Sequence, residues 1–139
     1  MQIATILNMS QLVPPDGNGG TPRAMALTSA FQALAGHNVK VYAPAGSAIV
    51  DYTTLIAKQM GARDIKLSQD GNSIELTSKD GKKGSLTLRT TGHGPLDLGP
   101  HPDKIQRNTE LYQLLIDDEK SQPSDIIHAH RDIGIEMLH

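Results

Sequence analysis

Short apolar runs alternate with longer amphipathic segments along this chain, and this alternation most restricts how it can fold. Residues 3–7, IATIL, form a nearly continuous apolar run, which is typical of a strand buried on both faces of a parallel sheet. Segments with apolar residues at three- and four-residue spacing lie between such runs and predict helices. Because a crossover helix joins parallel strands, the alternation predicts a right-handed α/β sheet.

The elements can be predicted in order along the 139 residues. Thr and Pro at positions 21 and 22 are typical of a helix start, and we expect that helix to run to about residue 35 with Ala24, Leu27, Phe31 and Leu34 buried. The other predicted elements are strands at 39–43, 65–67 and 126–130, helices at 47–60, 103–120 and from 133, and an antiparallel hairpin of 73–77 with 85–89. We expect the strand at 126–130 to be buried and the acidic run at 117–119 to be a solvated helix end. The residues expected to be buried in the helices at 47–60 and 103–120 are Ile49, Tyr52, Leu55, Ile56, Ile105, Leu111, Tyr112 and Leu115. We interpret the hairpin as an insertion in a Rossmann-like, three-layer parallel sheet that forms one domain over residues 1–139.

The composition excludes several classes of function. Thirteen Lys and Arg stand against 15 Asp and Glu without a basic block, so we expect no nucleic-acid partner. There is no Cys, which excludes disulfides, thiolate metal sites and cysteine nucleophiles. Neither a signal-peptide pattern nor a run of about 18 apolar residues is present, so we expect a cytoplasmic protein without a transmembrane segment. We expect no cofactor.

Two polar segments follow predicted strands and form the candidate site. Ligands of open α/β sheets bind beyond the carboxyl ends of the strands, where the strand order reverses. The first segment carries Gly19, Gly20 and Arg23, and its glycines would let the backbone of a helix start approach a phosphate or a sugar hydroxyl. The second segment carries His128, His130 and Arg131. If the last strand lies beside the first, both segments line one crevice.

Both purely structural roles and other chemical functions remain open for these residues. The glycines can simply make a sharp turn, and the two histidines can be strand-end residues bonded to the backbone. The glycine loop does not match a dinucleotide-binding fingerprint, because Pro22 stands where the third glycine would fall. His128, His130 and Asp132 form an H-x-H-x-D pattern that also occurs in metal-dependent hydrolases, although no further ligand stands at a recognisable spacing. A non-catalytic module that binds a small molecule is a third possibility.

Several segments together resemble one enzyme family. They are a loop with PPD at 14–16 and GG at 19–20, a helix end reading ALAGHNV at 33–39, a strand closed by Pro44, and DIIHAH at 125–130. In this order they resemble the N-terminal domain of retaining GT-B glycosyltransferases of the glycogen synthase and sucrose synthase type, which are family-4-like. The resemblance covers about the first 44 residues and the last 15.

The resemblance implies transfer of a sugar from a nucleotide-sugar donor to an acceptor, in a cleft between two Rossmann-like domains. It implies that Gly19 and Gly20 lie near the donor phosphates and the acceptor, and that His130 contacts the transferred sugar as the catalytic histidine. Arg131 stands where some members carry an acid, so Asp132 does not inherit that role. We expect Arg23, His128 and Arg131 to contribute to substrate binding.

The family's C-terminal, donor-binding domain has no counterpart in these residues. We therefore expect this chain to be the acceptor-side half of a longer enzyme and inactive alone, with an exposed sheet edge that could support a homodimer. A breaker-rich loop at 91–102 is a candidate cover for the acceptor cleft.

Overall fold

The computed structural model describes residues 1–6, 20–94 and 103–129, and these contain six strands and three helices. In chain order they are β1 (Gln2–Ile6), α1 (Gly20–Leu34), β2 (Asn38–Tyr42), α2 (Ile49–Gln59), β3 (Asp64–Leu67), β4 (Ser73–Thr77), β5 (Lys83–Arg89), α3 (Lys104–Ser121) and β6 (Ile126–Ala129). The predicted helix from residue 133 and most of the loop at 91–102 lie outside the described residues. No helix within the described ranges is long and apolar enough to span a membrane.

All six strands form one mixed sheet in the order β3-β4-β5-β2-β1-β6. The four strands β5, β2, β1 and β6 are mutually parallel, whereas β4 runs antiparallel to both of its neighbours. The prediction of an α/β fold is confirmed, and the architecture is compatible with a Rossmann-like fold. The prediction of a parallel sheet holds only for those four strands.

The hairpin is an integral part of the sheet, so its interpretation as an insertion was wrong. Its second strand, β5, pairs in parallel with β2, with Leu86 opposite Val39 and Leu88 opposite Val41. These leucines are buried because they share one apolar layer with β2. The hairpin loop spans residues 78–82, where Gly81 has a φ of 86°, and β5 therefore begins two residues earlier than predicted.

Helices cover both faces of the sheet. α1 and α2 pack on one face, where their buried residues join Ile3, Val39, Leu86 and others in the larger core cluster. α3 packs on the other face, where Leu111, Tyr112 and Leu115 contact Ala4, Ile6 and Tyr42. We call these the α1/α2 face and the α3 face. Consecutive strand residues point to opposite faces, so each strand contributes to both cores.

The prediction of which side of α1 is buried was wrong. The helix buries Met25, Ala26, Ser29, Ala30 and Ala33, while Leu27 and Phe31 remain 40% and 44% exposed and Ala24 is exposed. Leu34 is partly buried against the larger core. Small residues face the sheet because α1 lies very close to it: a Cβ built on Gly84 of β5 would stand 1.9 Å from the Ala33 carbonyl oxygen.

The predictions of buried apolar residues in α2, α3 and β6 were partly right. α2 buries Ile49, as expected, but Leu55 is exposed, and Val50, Thr53 and Ala57 face the core instead. In α3, Leu111, Tyr112 and Leu115 are buried as predicted, whereas Ile105 is exposed. β6 was predicted to be buried, yet in the described part of the chain it is an edge strand, and both of its isoleucines are 38% exposed.

Candidate functional site

The strand order reverses between β1 and β6, as the candidate site requires. From β1 the chain crosses through α1 to β2 on one side, whereas α3 carries it from β5 back across the opposite face to β6. The last strand lies beside the first, which is the condition under which both polar segments lie at one edge of the sheet: Ile3 pairs with Ile126 and Ile6 with Ala129. In open α/β sheets the crevice beyond such a reversal is the usual ligand site.

His128 lies near the carboxyl end of β6, directly opposite Thr5 of β1. Because in-register residues share a face and Ile3 belongs to the α1/α2 core, the His128 side chain is on the α1/α2 face. It is half-buried, and Thr5 is almost completely buried. His128 therefore lies on the face of the sheet that α1 and α2 cover, near the carboxyl end of β6. The other predicted residues of this segment, His130, Arg131 and Asp132, lie outside the described residues.

The glycine-rich segment leads into α1. Gly19 lies outside the described residues, and Gly20 is the first residue of the helix, which places the helix start at the carboxyl end of the sheet. Arg23 is in the first turn and exposed. Backbone N–H groups of a first helical turn lack intrahelical acceptors and favour anions. The structure thus brings the start of α1 and the ends of β1 and β6 to the same edge of the sheet.

A partly buried polar network joins α3 to the sheet, and sequence reasoning missed it. Arg89 of β5 binds Asp118 bidentately, with Nε to Oδ2 and Nη2 to Oδ1 both at 2.8 Å, and the Tyr42 hydroxyl donates to Asp118 Oδ2 at 2.7 Å. The acidic run that contains Asp118 was interpreted as a solvated helix end, which was wrong for this residue. The signal was available, because Asp118 continues the stripe of Leu111 and Leu115 at three- and four-residue spacing.

The network shifts the ionisation of its members in a consistent direction. The hydrogen bonds from Arg89 hold the pKa of the Asp118 carboxyl below its usual value, against the opposing effect of burial. The bond to Asp118 in turn raises the pKa of the Arg89 guanidinium. Burial, followed by the Asp118 carboxylate, raises the pKa of the Tyr42 hydroxyl far above its ordinary value. The network is therefore a carboxylate held ionised by a cation and a neutral phenol, which suits a structural role.

The loops after β2 and β5 are joined at the same carboxyl edge. The Ala45 amide donates to the His93 carbonyl oxygen at 2.8 Å, and His93 Nε2 lies 3.4 Å from a Glu110 carboxylate oxygen of α3. Residues 91–94 are thus attached to both the β2–α2 loop and α3. Residues 91–94 begin the loop that was predicted to cover the acceptor cleft, and these contacts hold them in place. Residues 95–102 lie outside the described part.

Metal ligands do not assemble in the part of the chain that the structure describes, where no group of three or more His, Asp or Glu side chains could hold an ion. His130 and Asp132 of the H-x-H-x-D pattern are outside that part, so the hydrolase hypothesis stays a prediction. The chain matches no protein-family model, and neither the curated proteins nor the solved structures include one with significant similarity to it.

Proposed function

We propose that this chain is the acceptor-side domain of a glycosyltransferase that moves a sugar from a nucleotide-sugar donor to an acceptor. One observation carries the proposal: the parallel pairing of β6 with β1 at the reversal of the strand order. That pairing brings the H-x-H strand and the start of α1, two segments far apart in sequence, to one edge of the sheet. A crevice at this edge suits a sugar phosphate, because helix N–H groups favour the anion and His128 offers hydrogen bonds to hydroxyls.

We assign a role to each predicted site residue from the chemical groups that this edge supplies. The start of α1, with Gly19, Gly20 and Arg23, would contact the donor phosphates and the acceptor. His128, His130 and Arg131 would contact the transferred sugar, with His130 closest to the reacting carbon. The basic residues and carboxylates that hold the nucleotide would come from a second domain. On this proposal the chain alone binds a sugar phosphate weakly and transfers no sugar at an appreciable rate.

Equilibrium dialysis with radiolabelled UDP-glucose, ADP-glucose and glucose 1-phosphate tests this proposal, together with a transfer assay on oligosaccharide acceptors. We expect weak, saturable binding of at least one probe, with an affinity lowered roughly tenfold in His128→Ala, since a hydrogen bond to a charged or polarised group is worth about 1.5 kcal/mol. His37→Ala is the matched control, because it removes a half-buried histidine that directly precedes β2, at the opposite edge of the parallel strands, and its affinity should be unchanged. The absence of binding by all three probes, or robust transfer by the isolated chain, would contradict the proposal.

The metal-dependent hydrolase is the second candidate, and the H-x-H-x-D pattern favours it. It requires bound metal in the purified protein, so elemental analysis separates the two. About one equivalent of zinc that is lost in a His128→Ala, His130→Ala double variant would support the hydrolase. A metal-free protein that binds a sugar phosphate would support the transferase.

A further inference from the structure

A second polar surface lies on the α3 face of the sheet, away from the carboxyl-edge crevice. In the described part of the chain α3 packs on β1 and β2, through Ala4, Ile6 and Tyr42, and reaches β5 only at Arg89, the last residue of that strand, so this face of β3, β4 and the start of β5 is left uncovered. Along β4 and β5 buried apolar residues alternate with half-buried or exposed polar ones, as in an antiparallel sheet with one solvated face. We call this surface the polar face and define it by Asn38, Asp64, Lys66, Glu75, Lys83 and Ser85.

Two adjoining depressions follow the polar face. The larger, of about 370 Å³, is lined by all six of its residues, and the smaller, of about 220 Å³, extends it past Ser73 toward Ser68. Lys66 and Glu75, which are paired across β3 and β4, line both depressions. The larger volume lies at the lower end of the range of small-molecule sites, about 300 to 1,000 Å³. Together they form a shallow groove that an extended ligand could follow.

The charges along this groove are balanced. Two carboxylates, of Asp64 and Glu75, stand beside two ammonium groups, of Lys66 and Lys83. A phosphate would meet the carboxylates and a polyamine would meet the lysines, so the lining favours a ligand without net charge. The lining includes no aromatic ring, and this disfavours a nucleobase, which binds by stacking.

The residue types of the polar face also disfavour a protein partner. Cores of protein interfaces are enriched in aromatic residues, Met and Arg, and depleted in Lys, Glu, Asp and Ser. Five of the six residues that define the polar face are of the depleted types. Two contacts join side chains within the polar face. Ser85 Oγ donates a hydrogen bond to Asn38 Oδ1 at 2.8 Å, and Lys66 Nζ lies 3.9 Å from Asp64 Oδ2 in a long ion pair. An exposed ion pair at that distance leaves both groups able to bond a ligand.

We propose that the polar face binds a neutral oligosaccharide. A sugar hydroxyl both donates and accepts, so it can donate to Asp64 or Glu75 while it accepts from Lys66 or Lys83. The residues that line the groove are mostly polar, and a groove with donors and acceptors side by side matches a chain of such hydroxyls better than a ligand of one charge or an aromatic ligand. This site is independent of the proposed transferase activity, because it shares no residue with the carboxyl-edge crevice.

The test is a titration of the ¹⁵N-labelled full chain, followed by amide resonances, with maltoheptaose, laminarihexaose, cellotetraose and mannohexaose. At least one sugar should give saturable shifts on β3, β4 and the start of β5. Glu75→Ala should weaken that binding roughly tenfold, because it removes a charged acceptor. Asp51→Ala is the matched control, since Asp51 is an exposed carboxylate on α2, over the opposite face. Its affinity should equal that of the unaltered chain.

Three outcomes would overturn the proposal. The first is the lack of saturable shifts with all four sugars. The second is an equal response of the same amides to sodium pyrophosphate, which would make the groove an anion site. The third is unchanged binding in both Glu75→Ala and Asn38→Ala. Both residues are exposed, so these variants should fold, and their dispersed amide spectra would verify this.

Discussion

At the scale of single residues, Asp118 is a polar side chain that ties α3 to the sheet. It accepts three hydrogen bonds, two from Arg89 and one from Tyr42, and so connects the helix to β5 and β2. Its carboxylate is mostly buried, at 17% exposure, whereas the Arg89 side chain is 39% exposed and partly screened by water. Loss of the carboxylate charge leaves the Tyr42 hydroxyl and the guanidinium without their strongest acceptor.

We therefore expect Asp118→Asn to lower the free energy of unfolding by about 1 to 2 kcal/mol, the usual range for a hydrogen bond to a charged group after allowance for partial exposure. Chemical denaturation followed by circular dichroism measures this. Asp117→Asn, at the exposed neighbouring position, should change stability by less than about 0.5 kcal/mol. Equal effects of the two substitutions would show that the network does not hold α3.

The same carboxylate makes this contribution depend on pH. The pKa of Asp118 is lower in the folded than in the unfolded chain, so in the window between the two values the unfolded chain binds more protons and stability rises with pH. The stability difference between the unaltered chain and Asp118→Asn should thus be full above the ordinary aspartate pKa of about 3.9 and should shrink as the pH falls below it. A difference that grows on acidification would refute the assignment.

At the scale of elements, the close approach of α1 to β5 decides which side of the helix is buried. Periodicity alone placed Leu27 and Phe31 inward, since large apolar residues usually form the buried stripe. The contact at Gly84 leaves no room for them, and Ala26, Ala30 and Ala33 take that side instead. This contact joins two elements that are distant in sequence. The local spacing of apolar residues in α1 therefore could not predict it.

Gly84→Ala tests this close approach. The added Cβ would stand 1.9 Å from the Ala33 carbonyl oxygen and 2.8 Å from that of His37, both backbone atoms, so α1 must move away from the sheet. We expect a loss of about 3 kcal/mol or more, at the upper end of the range for overpacking. Gly94→Ala is the control, because no atom of the described residues lies within 4 Å of the Cβ built there. A thermal denaturation midpoint that is equal in both variants would contradict the packing described.

At the scale of the whole molecule, the two edges of the sheet differ in character. The β3 edge carries the charged pair Asp64 and Lys66, which is a common protection against further strand pairing. The β6 edge has no charged side chain among its described residues, and it exposes Ile126 on the α1/α2 face and Ile127 on the α3 face. From the sequence we took the pairing of β6 with β1 only as a condition, and we interpreted the apolar run of β6 as evidence of burial, because composition does not reveal which strand is outermost.

We expect this edge to cause weak, concentration-dependent self-association. Four strand residues cover far less than the roughly 1,200 Å² of a stable interface, so monomers should predominate at low concentration. Ile127→Lys should abolish association in sedimentation velocity experiments. Ile105→Lys, at an exposed apolar position of α3, should not. A single monomeric species at all concentrations, or equal behaviour of the two variants, would contradict this prediction.

We propose that the carboxyl ends of β1 and β6 form a site for a sugar phosphate, and the decisive measurement is a map of the amides that respond to glucose 1-phosphate. We expect saturable shifts at Thr5, Ile6, His128 and the first turn of α1, with no response on the polar face. Shifts confined to other parts of the molecule, or no shift at millimolar concentrations, would show that the reversal of strand order in this chain does not mark a sugar-phosphate site.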